Sequence, residues 1–217
     1  MPAKTFLITT PEHDDTVFYC SSWSQEIIEA AQSRSFNVVN LPKEKANRAE
    51  FESRIRKSNP KFVMFNGHGV PDMICGHGDE VLLKTNENEG VTKGRIVYAR
   101  SCFSLKKLGK NCSKKGAKAF VGYFLPFMFV SDPARSAAHP LKDELAQPCF
   151  ESSNSIPLTL LKGNSIKDAI FRSKEKTDKL IAYWKTQNRV EASMVVASLM
   201  WNKRALGHEG NENAKIS

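Results

Sequence analysis

Short apolar runs alternate along this chain with segments that repeat apolar residues at helical spacing. The runs rich in β-branched and aromatic residues predict buried strands at 5–9, 37–41, 61–66, 95–99 and 118–124. The amphipathic segments between them predict helices at 21–34, 47–60 and 104–116. This alternation predicts an α/β protein with a mostly parallel central sheet that is flanked by helices on both faces.

Local signals place the ends of several helices. Ser22 with Gln25, and Asn47 with Glu50, have the spacing of capping boxes. Gly116 is expected to end the helix over 104–116. Beyond the last predicted strand, two long helices are expected at 165–187 and 189–206, and the five prolines of 125–160 predict loop and short helix there.

The composition narrows the class of protein. A chain of 217 residues, 41% of them hydrophobic, is expected to form a single domain over 1–217. Its longest apolar run, 119–130, is shorter than the roughly 20 residues of a membrane-spanning helix. The first 15 residues reach acidic side chains too early for a secretory leader. Five cysteines, an odd number, indicate reduced thiols in the cytoplasm.

The formal net charge of +9 gives information about solubility and binding partners, but not about the fold. The lysines are spread from Lys43 to Lys215, without a long basic run or interleaved aromatic residues. This distribution indicates a solvated basic face. No nucleic-acid-binding signature is present, so a nucleic-acid binder is the weakest interpretation.

Two predicted strands end in residues that carry chemistry. The strand at 61–66 leads into Gly67-His68-Gly69, and the strand at 95–99 leads into Arg100-Ser101-Cys102. Catalytic groups gather beyond the carboxyl ends of parallel strands, so we expect His68 to face Cys102.

We interpret Cys102 as a nucleophile and His68 as its general base. A helix beginning just after Cys102 would favour its thiolate. The backbone amides of Gly69 and Cys102 are expected to form an oxyanion hole, with glycine allowing close approach. His77, in the second Gly-His-Gly, is interpreted as a turn residue of a small hairpin with residues 80–84.

We call the strand end at 67–69 the histidine block and the strand end at 100–102 the cysteine block. In this order, the two blocks resemble the caspase-fold cysteine peptidases: caspases, metacaspases, legumains, gingipains, clostripain, separases and the bacterial CHAT domains. The matching segments are "FVMFNGHG" (62–69), "RIVYARSCFSLKKLGK" (95–110) and, as in the CHAT and gingipain branches, "KKGAKAFVGY" (114–123). The resemblance extends over residues 4–130. The Gln-Ala-Cys-x-Gly of true caspases is absent, since this chain reads Arg-Ser-Cys-Phe-Ser.

The resemblance implies a caspase-like three-layer sandwich and a cytoplasmic cysteine endopeptidase that needs no cofactor or metal. Its partners would be a protein or peptide substrate and a regulatory protein. The substrate strand would add to the sheet edge after the strand at 118–124, which makes Tyr123 a candidate substrate-binding residue.

Specificity is predicted from Arg100, two residues before Cys102. In caspase-fold families this position commonly lines the pocket for the side chain that precedes the cleaved bond. A guanidinium pairs with a carboxylate, which predicts Asp or Glu there. In the alternative, Arg100 pairs with a local acid, Asp132 or Asp143, and the pocket is neutral or acidic.

Two other functions remain open. The first is a catalytically inactive caspase-like scaffold or interaction module, because a fold does not guarantee activity. The second is a zinc site with His68, Cys75, His77 and Cys102 as ligands, although the Cys-x-His pair at 75–77 lacks the usual ligand spacing. Apart from the proposed nucleophile, the cysteines are interpreted as small core or surface residues: Cys20, Cys75, Cys112 and Cys149.

Overall fold

The computed structural model describes residues 4–132 and 139–216. A six-stranded sheet forms its centre, in the order β2-β1-β3-β7-β8-β9, and a small antiparallel sheet has the order β4-β5-β6. The strands are β1 (Thr5–Thr10), β2 (Asn37–Pro42), β3 (Phe62–Asn66), β4 (Gly69–Val70), β5 (Met73–Cys75), β6 (Val81–Lys84), β7 (Ile96–Arg100), β8 (Ala119–Tyr123) and β9 (Leu206–Gly210). Every neighbouring pair in the large sheet is parallel except β8 and β9.

Helices cover both faces of the large sheet. They are α1 (Asp15–Ser22), α2 (Gln25–Gln32), α3 (Arg48–Ser58), α4 (Leu108–Lys114), α5 (Gln147–Leu161), α6 (Ile166–Lys185) and α7 (Ala192–Ala205). One core lies between the sheet and α2, α5 and α6, and the other lies between the sheet, α3, α4 and the small sheet. The predicted three-layer α/β architecture with a mostly parallel sheet is confirmed.

The helix predicted at 21–34 covers only the last two residues of α1 and the whole of α2, with a turn at Trp23 and Ser24 between them. Ser24, rather than Ser22, stands at the amino end of α2, and its side chain does not cap the helix. The Ser24 hydroxyl donates instead to the Cys20 carbonyl at 2.8 Å. Asn47 caps α3 as predicted, because its side chain accepts a hydrogen bond from the Glu50 amide at 2.9 Å.

The expectation of loop and short helix over 125–160 is wrong for its second half, where α5 runs for 15 residues. Residues 133–138 of that stretch lie outside the described residues. Pro148 is in the first turn of α5, where its missing N–H is tolerated, but Pro157 lies inside the helix. Burial of Ile156 and Leu160 against the sheet outweighs the hydrogen bond that Pro157 removes.

The chain returns to the sheet at its carboxyl end. After α7, strand β9 pairs antiparallel with β8, and Leu206 lies opposite Tyr123. This edge of β8 is therefore occupied, and the prediction that a substrate strand adds to it is not met in this structure. Among the described helices, none combines the length and apolarity that a membrane crossing requires.

Candidate active site

The carboxyl ends of three adjacent parallel strands form one rim of the sheet. In the register of β3 and β7, Asn66 lies opposite Arg100, so His68 and Cys102 each follow a paired residue by two positions. Asn66 is fully buried, and its amide group donates to the Thr9 carbonyl at 2.7 Å and to the Ser24 hydroxyl at 3.1 Å. These bonds tie the end of β3 to β1 and to the amino end of α2, immediately before the His68 loop.

Gly69 brings the histidine block against the cysteine block. A Cβ atom at Gly69 would lie 2.1 Å from the Ser101 hydroxyl oxygen and 2.8 Å from the Cys102 carbonyl oxygen. No larger residue fits there without displacing backbone. The contact supports the predicted adjacency of the two blocks.

The imidazole of His68 lies against a carboxylate that follows β1. Its Nε2 atom is 2.6 Å from Oδ2 of Asp14, and both side chains are about two-fifths exposed. Oδ1 of the same carboxylate accepts the Val17 amide at 2.9 Å and caps α1. Burial raises the pKa of Asp14, but the bonds from His68 and Val17 outweigh it and leave that pKa lowered. Asp14 thus remains a carboxylate that fixes the His68 ring.

The Cys102 thiol is half-buried, and its surroundings differ from the predicted ones. Residues 101–107 form turns, and α4 begins only at Leu108. The expectation that a helix begins just after Cys102 and favours its thiolate is therefore wrong. Burial raises the pKa of Cys102, which keeps the thiol protonated near neutral pH. Within the described residues, the hydrogen bond of the His68 ring is to Asp14 and not to Cys102.

The backbone amide of Cys102 is a candidate oxyanion donor. Phe103, the next residue, donates its amide to the Leu125 carbonyl at 3.3 Å and has a left-handed φ of +56°. The Cys102 amide donates to no backbone carbonyl of the described residues, and it lies beside its own thiol, as the Phe127 amide does. It therefore remains available to an oxygen atom that approaches the thiol.

Arg100 is 1% exposed, so its guanidinium does not line an open pocket as predicted. The strand ends at Arg100, and its side chain points with that of Tyr98 toward α5. It donates to the Ser153 hydroxyl at 2.9 Å, to the Cys20 carbonyl at 3.1 Å and to the Asn154 side-chain oxygen. The Phe150 ring stacks against it at 5.3 Å.

The local acids do not neutralise Arg100. No carboxylate of residues 4–132 or 139–216 lies within ion-pair distance of its guanidinium. Asp143 is fully buried, but it accepts hydrogen bonds from the Tyr19 hydroxyl at 2.5 Å and from the Leu145 amide at 3.0 Å. The alternative in which Arg100 pairs with Asp132 or Asp143 is therefore not what the structure shows.

Tyr123 is also buried, at 2% exposure, which does not fit direct contact with a substrate. It lies within the sheet, paired on one side with β9, and its hydroxyl is 3.2 Å from that of Tyr98. Its predicted substrate-binding role is corrected accordingly, because an interior strand presents its side chains to the two cores rather than to solvent.

The second Gly-His-Gly copy lies at the edge of the small sheet. His77 begins a single turn before β6, and its Nδ1 accepts the Glu12 amide at 3.3 Å. Its interpretation as a turn residue near a hairpin agrees with this position. Cys75 pairs with Val81. The predicted zinc set of His68, Cys75, His77 and Cys102 is not assembled; among the described residues, the group with metal-binding spacing is His13, Asp14 and His68.

His13 and Asp14 could have been identified as site residues from their position in the sequence. They follow β1, which lies beside β3, so the carboxyl-end rule that indicated His68 and Cys102 applies to them equally. The segment "PEHDD" (11–15) places three acids and a histidine at that rim. Sequence reasoning overlooked them because it considered only strands that end in a histidine or a cysteine.

The fold of this chain is similar to those of solved structures. A structure described as a protease has a TM-score of 0.57 and 15% identity, and the match covers 98% of this chain and 48% of that one. The Arg-specific cysteine proteinase gingipain R has a TM-score of 0.61 and 7% identity, with 98% of this chain and 47% of that one covered. This chain thus spans about half the length of each.

At such identities the likeness concerns the fold alone. The mixed α/β architecture matches the caspase- and gingipain-like fold of cysteine peptidases. No family model matches the sequence, and no curated protein matches it either.

Proposed function

We propose that this chain is a cysteine endopeptidase in which Cys102 is the nucleophile and His68 the general base. The observation that carries the proposal is the meeting of the two blocks at one rim, where the backbone at Gly69 abuts Ser101 and Cys102. Asp14, in contact with His68 Nε2, acts as a positioning residue rather than as a catalytic one.

The protonation states favour general-base catalysis over a preformed ion pair. Burial keeps the Cys102 thiol neutral, so its proton must leave as the sulfur attacks. With Nε2 of His68 held by Asp14, Nδ1 is the nitrogen that accepts this proton. Sulfur bonds to the scissile carbonyl carbon, and the Cys102 and Gly69 amides stabilise the oxyanion. The C–N bond then breaks as the imidazolium protonates the leaving amine.

Deacylation uses the same groups in reverse. His68 takes a proton from water as the water oxygen attacks the thioester carbonyl, and the C–S bond breaks to release the acid and regenerate the thiol. The reactants of the two half-reactions are thus a peptide or protein substrate and water.

Preference for an acidic side chain before the cleaved bond is the second element of the proposal. Arg100 is a buried guanidinium with neutral oxygen partners, and an unneutralised buried charge is unfavourable. A substrate carboxylate that reached it would supply the missing negative charge. The pocket must open for this contact, since Arg100 is 1% exposed in the chain alone.

A positional-scanning peptide library tests the function. We expect hydrolysis that is lost in Cys102→Ala and reduced about 10²- to 10⁴-fold in His68→Ala, while His77→Ala retains most of it. His77 is the matched control because it has the same glycine neighbours. Equal loss in His68→Ala and His77→Ala, with the fold preserved, would contradict the assignment of the base.

A catalytically inactive scaffold is the second candidate, and two observations favour it: the neutral Cys102 thiol and the absence of a hydrogen bond between that thiol and His68 among the described residues. A peptidyl chloromethylketone distinguishes the candidates. Labelling of Cys102 that disappears in His68→Ala supports the peptidase, whereas absence of labelling and of hydrolysis in every library pool supports the scaffold.

A further inference from the structure

Beside the proposed catalytic histidine lies a second histidine whose ring has no hydrogen-bond partner. Both ring nitrogens of His13 are buried, and neither forms a hydrogen bond with a described residue, although Nε2 lies 3.3 Å from Oδ1 of Asp79 and 3.6 Å from Oδ2 of Asp14. A buried polar group in this state is unfavourable unless something satisfies it. The side chain of His13 is only 15% exposed, and its ring meets those of His68 and His77 edge-on, with centroids 5.8 and 5.3 Å away.

The atoms around His13 have the composition of a metal site. One ligand atom from each of His13, Asp14 and His68 lies within 4.8 Å of the other two. Two imidazoles and one carboxylate are ligands that Zn²⁺ binds in three-residue sites with an open fourth position. Harder cations such as Mg²⁺ and Ca²⁺ prefer all-oxygen sites, so the donor set favours zinc.

Two of the three ligand-atom separations lie within 1 Å of those around one zinc ion, and the third, between the two imidazoles, is at most 4.8 Å. Bonds of about 2.0–2.1 Å in a tetrahedron place ligand atoms about 3.3 Å apart. His13 Nε2 lies 3.6 Å from Asp14 Oδ2, near that value. Asp14 Oδ2 and His68 Nε2 are closer, at 2.6 Å, because a proton lies between them. Zinc would replace this proton, and the two atoms would separate by less than 1 Å.

We propose that His13, Asp14 and His68 bind one Zn²⁺ ion, and that this ion inhibits hydrolysis by occupying the general base. Binding requires the neutral tautomer with its proton on Nδ1, so the proton moves from Nε2 to Nδ1 and the Nε2 lone pair binds the ion, which leaves Nδ1 unable to accept the thiol proton. An imidazole held by zinc beside its carboxylate no longer turns freely toward the thiol or exchanges protons. The binding part stands on the cluster itself; the inhibition rests on the proposed peptidase function.

Zinc binding is tested first without activity, in the Cys102→Ala full-length chain. Titration calorimetry with ZnCl₂ is expected to give one ion per chain. The His13→Ala substitution is expected to weaken the zinc affinity at least about a hundredfold, which is more than the 10–100-fold typical of a lost outer-sphere partner. His77→Ala, which removes a neighbouring histidine outside the set, should bind as before. Because zinc stabilises the folded state that binds it, ZnCl₂ should raise the Tm of Cys102→Ala but not that of the His13→Ala double variant.

Cobalt identifies the ligands. Co²⁺ in place of Zn²⁺ should give the visible spectrum of a nitrogen and oxygen site without a thiolate charge-transfer band, in the wild type as well as in Cys75→Ser. A thiolate band that disappears in Cys75→Ser, or unchanged zinc affinity in His13→Ala, would overturn the proposed ligand set.

Inhibition is then measured on the wild type with a cleaved library peptide. ZnCl₂ should suppress hydrolysis by the wild type and a chelator should restore it, whereas the hydrolysis that remains in His13→Ala should not respond to ZnCl₂. Hydrolysis by Cys102→Ala that requires zinc would overturn the inhibitory role. Zinc binding without any hydrolysis by the wild type would contradict the peptidase function but support the zinc site. Hydrolysis without zinc binding would contradict the zinc site but support the peptidase function.

Discussion

His68 Nε2 lies 2.6 Å from Oδ2 of Asp14, and this single contact fixes which nitrogen of the ring is left for the thiol. With Nε2 protonated and donating to the carboxylate, Nδ1 carries the lone pair that a general base requires. The carboxylate is itself held, because its other oxygen caps α1 through the Val17 amide. The helix cap therefore sets the orientation of the proposed base.

Asp14→Asn tests this arrangement. Asparagine caps helices as well as aspartate does, so the Tm should change little. If its oxygen keeps the Val17 amide, its NH₂ group faces Nε2 and favours the tautomer with the proton on Nδ1, which cannot accept the thiol proton. We expect kcat to fall about a hundredfold with little change in KM. Asp15→Asn, on the exposed first turn of α1, is the matched control and should retain full activity.

Gly69→Ala tests the contact between the two blocks. The new methyl group would overlap the Ser101 hydroxyl and the Cys102 carbonyl, so the loop must move, at a cost of about 1–3 kcal/mol in the free energy of unfolding. We expect kcat/KM to fall by at least tenfold. Gly90→Ala is the control, because a Cβ atom there meets open space. Wild-type kinetics in Gly69→Ala would show that this backbone approach is not needed.

The large sheet could be predicted from the sequence because its parallel strands are buried on both faces and read as continuous apolar runs, as "FVMFN" of β3 does. Helix α5 could not be, since its prolines indicate a break, and only the core packing of Ile156 and Leu160 shows otherwise. Strand β9 was also missed. Its sequence, "LGHEG", carries two glycines and no apolar alternation, and pairing with β8 alone defines it.

The site was predictable only where side-chain chemistry follows a strand directly. His68 and Cys102 do so, and β3 and β7 proved to be neighbours. The direction of Arg100 was not predictable. Alternation along a strand would carry it to the side of Cys102, but the strand ends at Arg100 and the chain turns. Alternation relates two side chains only while the strand continues, and Cys102 lies two residues beyond the end of β7.

Alkylation of the cysteines reports the state of the proposed nucleophile. Burial raises the pKa of Cys20, Cys112 and Cys149 to about 12, so iodoacetamide should spare them in the native chain and label the half-buried Cys75 and Cys102. The pKa of Cys102 is also raised, so its thiolate fraction at neutral pH is below that of a free cysteine. Its labelling rate should still be rising above about pH 8.5, the ordinary thiol value.

Mass spectrometry of the labelled peptides measures this profile, and Cys75→Ser should leave the Cys102 profile unchanged. A rate that levels off below neutral pH would mean a thiolate already paired with an imidazolium. In that case His68 would act as an ion-pair partner rather than as a general base.

Arg100→Met separates the structural role of the guanidinium from its proposed role in specificity. Methionine fills the volume without the charge, but the Asn154 side-chain oxygen loses its donor, so we expect a loss of about 1–3 kcal/mol in the free energy of unfolding, measured by urea denaturation. The preference for Asp or Glu before the cleaved bond should disappear in the peptide library, while cleavage of neutral sequences persists through Cys102.

Asn154→Ala is the control, because it disturbs the same buried cluster and leaves the positive charge in place. A wild-type enzyme that prefers Lys or Arg at that position, with the preference unchanged in Arg100→Met, would exclude the acidic pocket and leave the peptidase assignment intact.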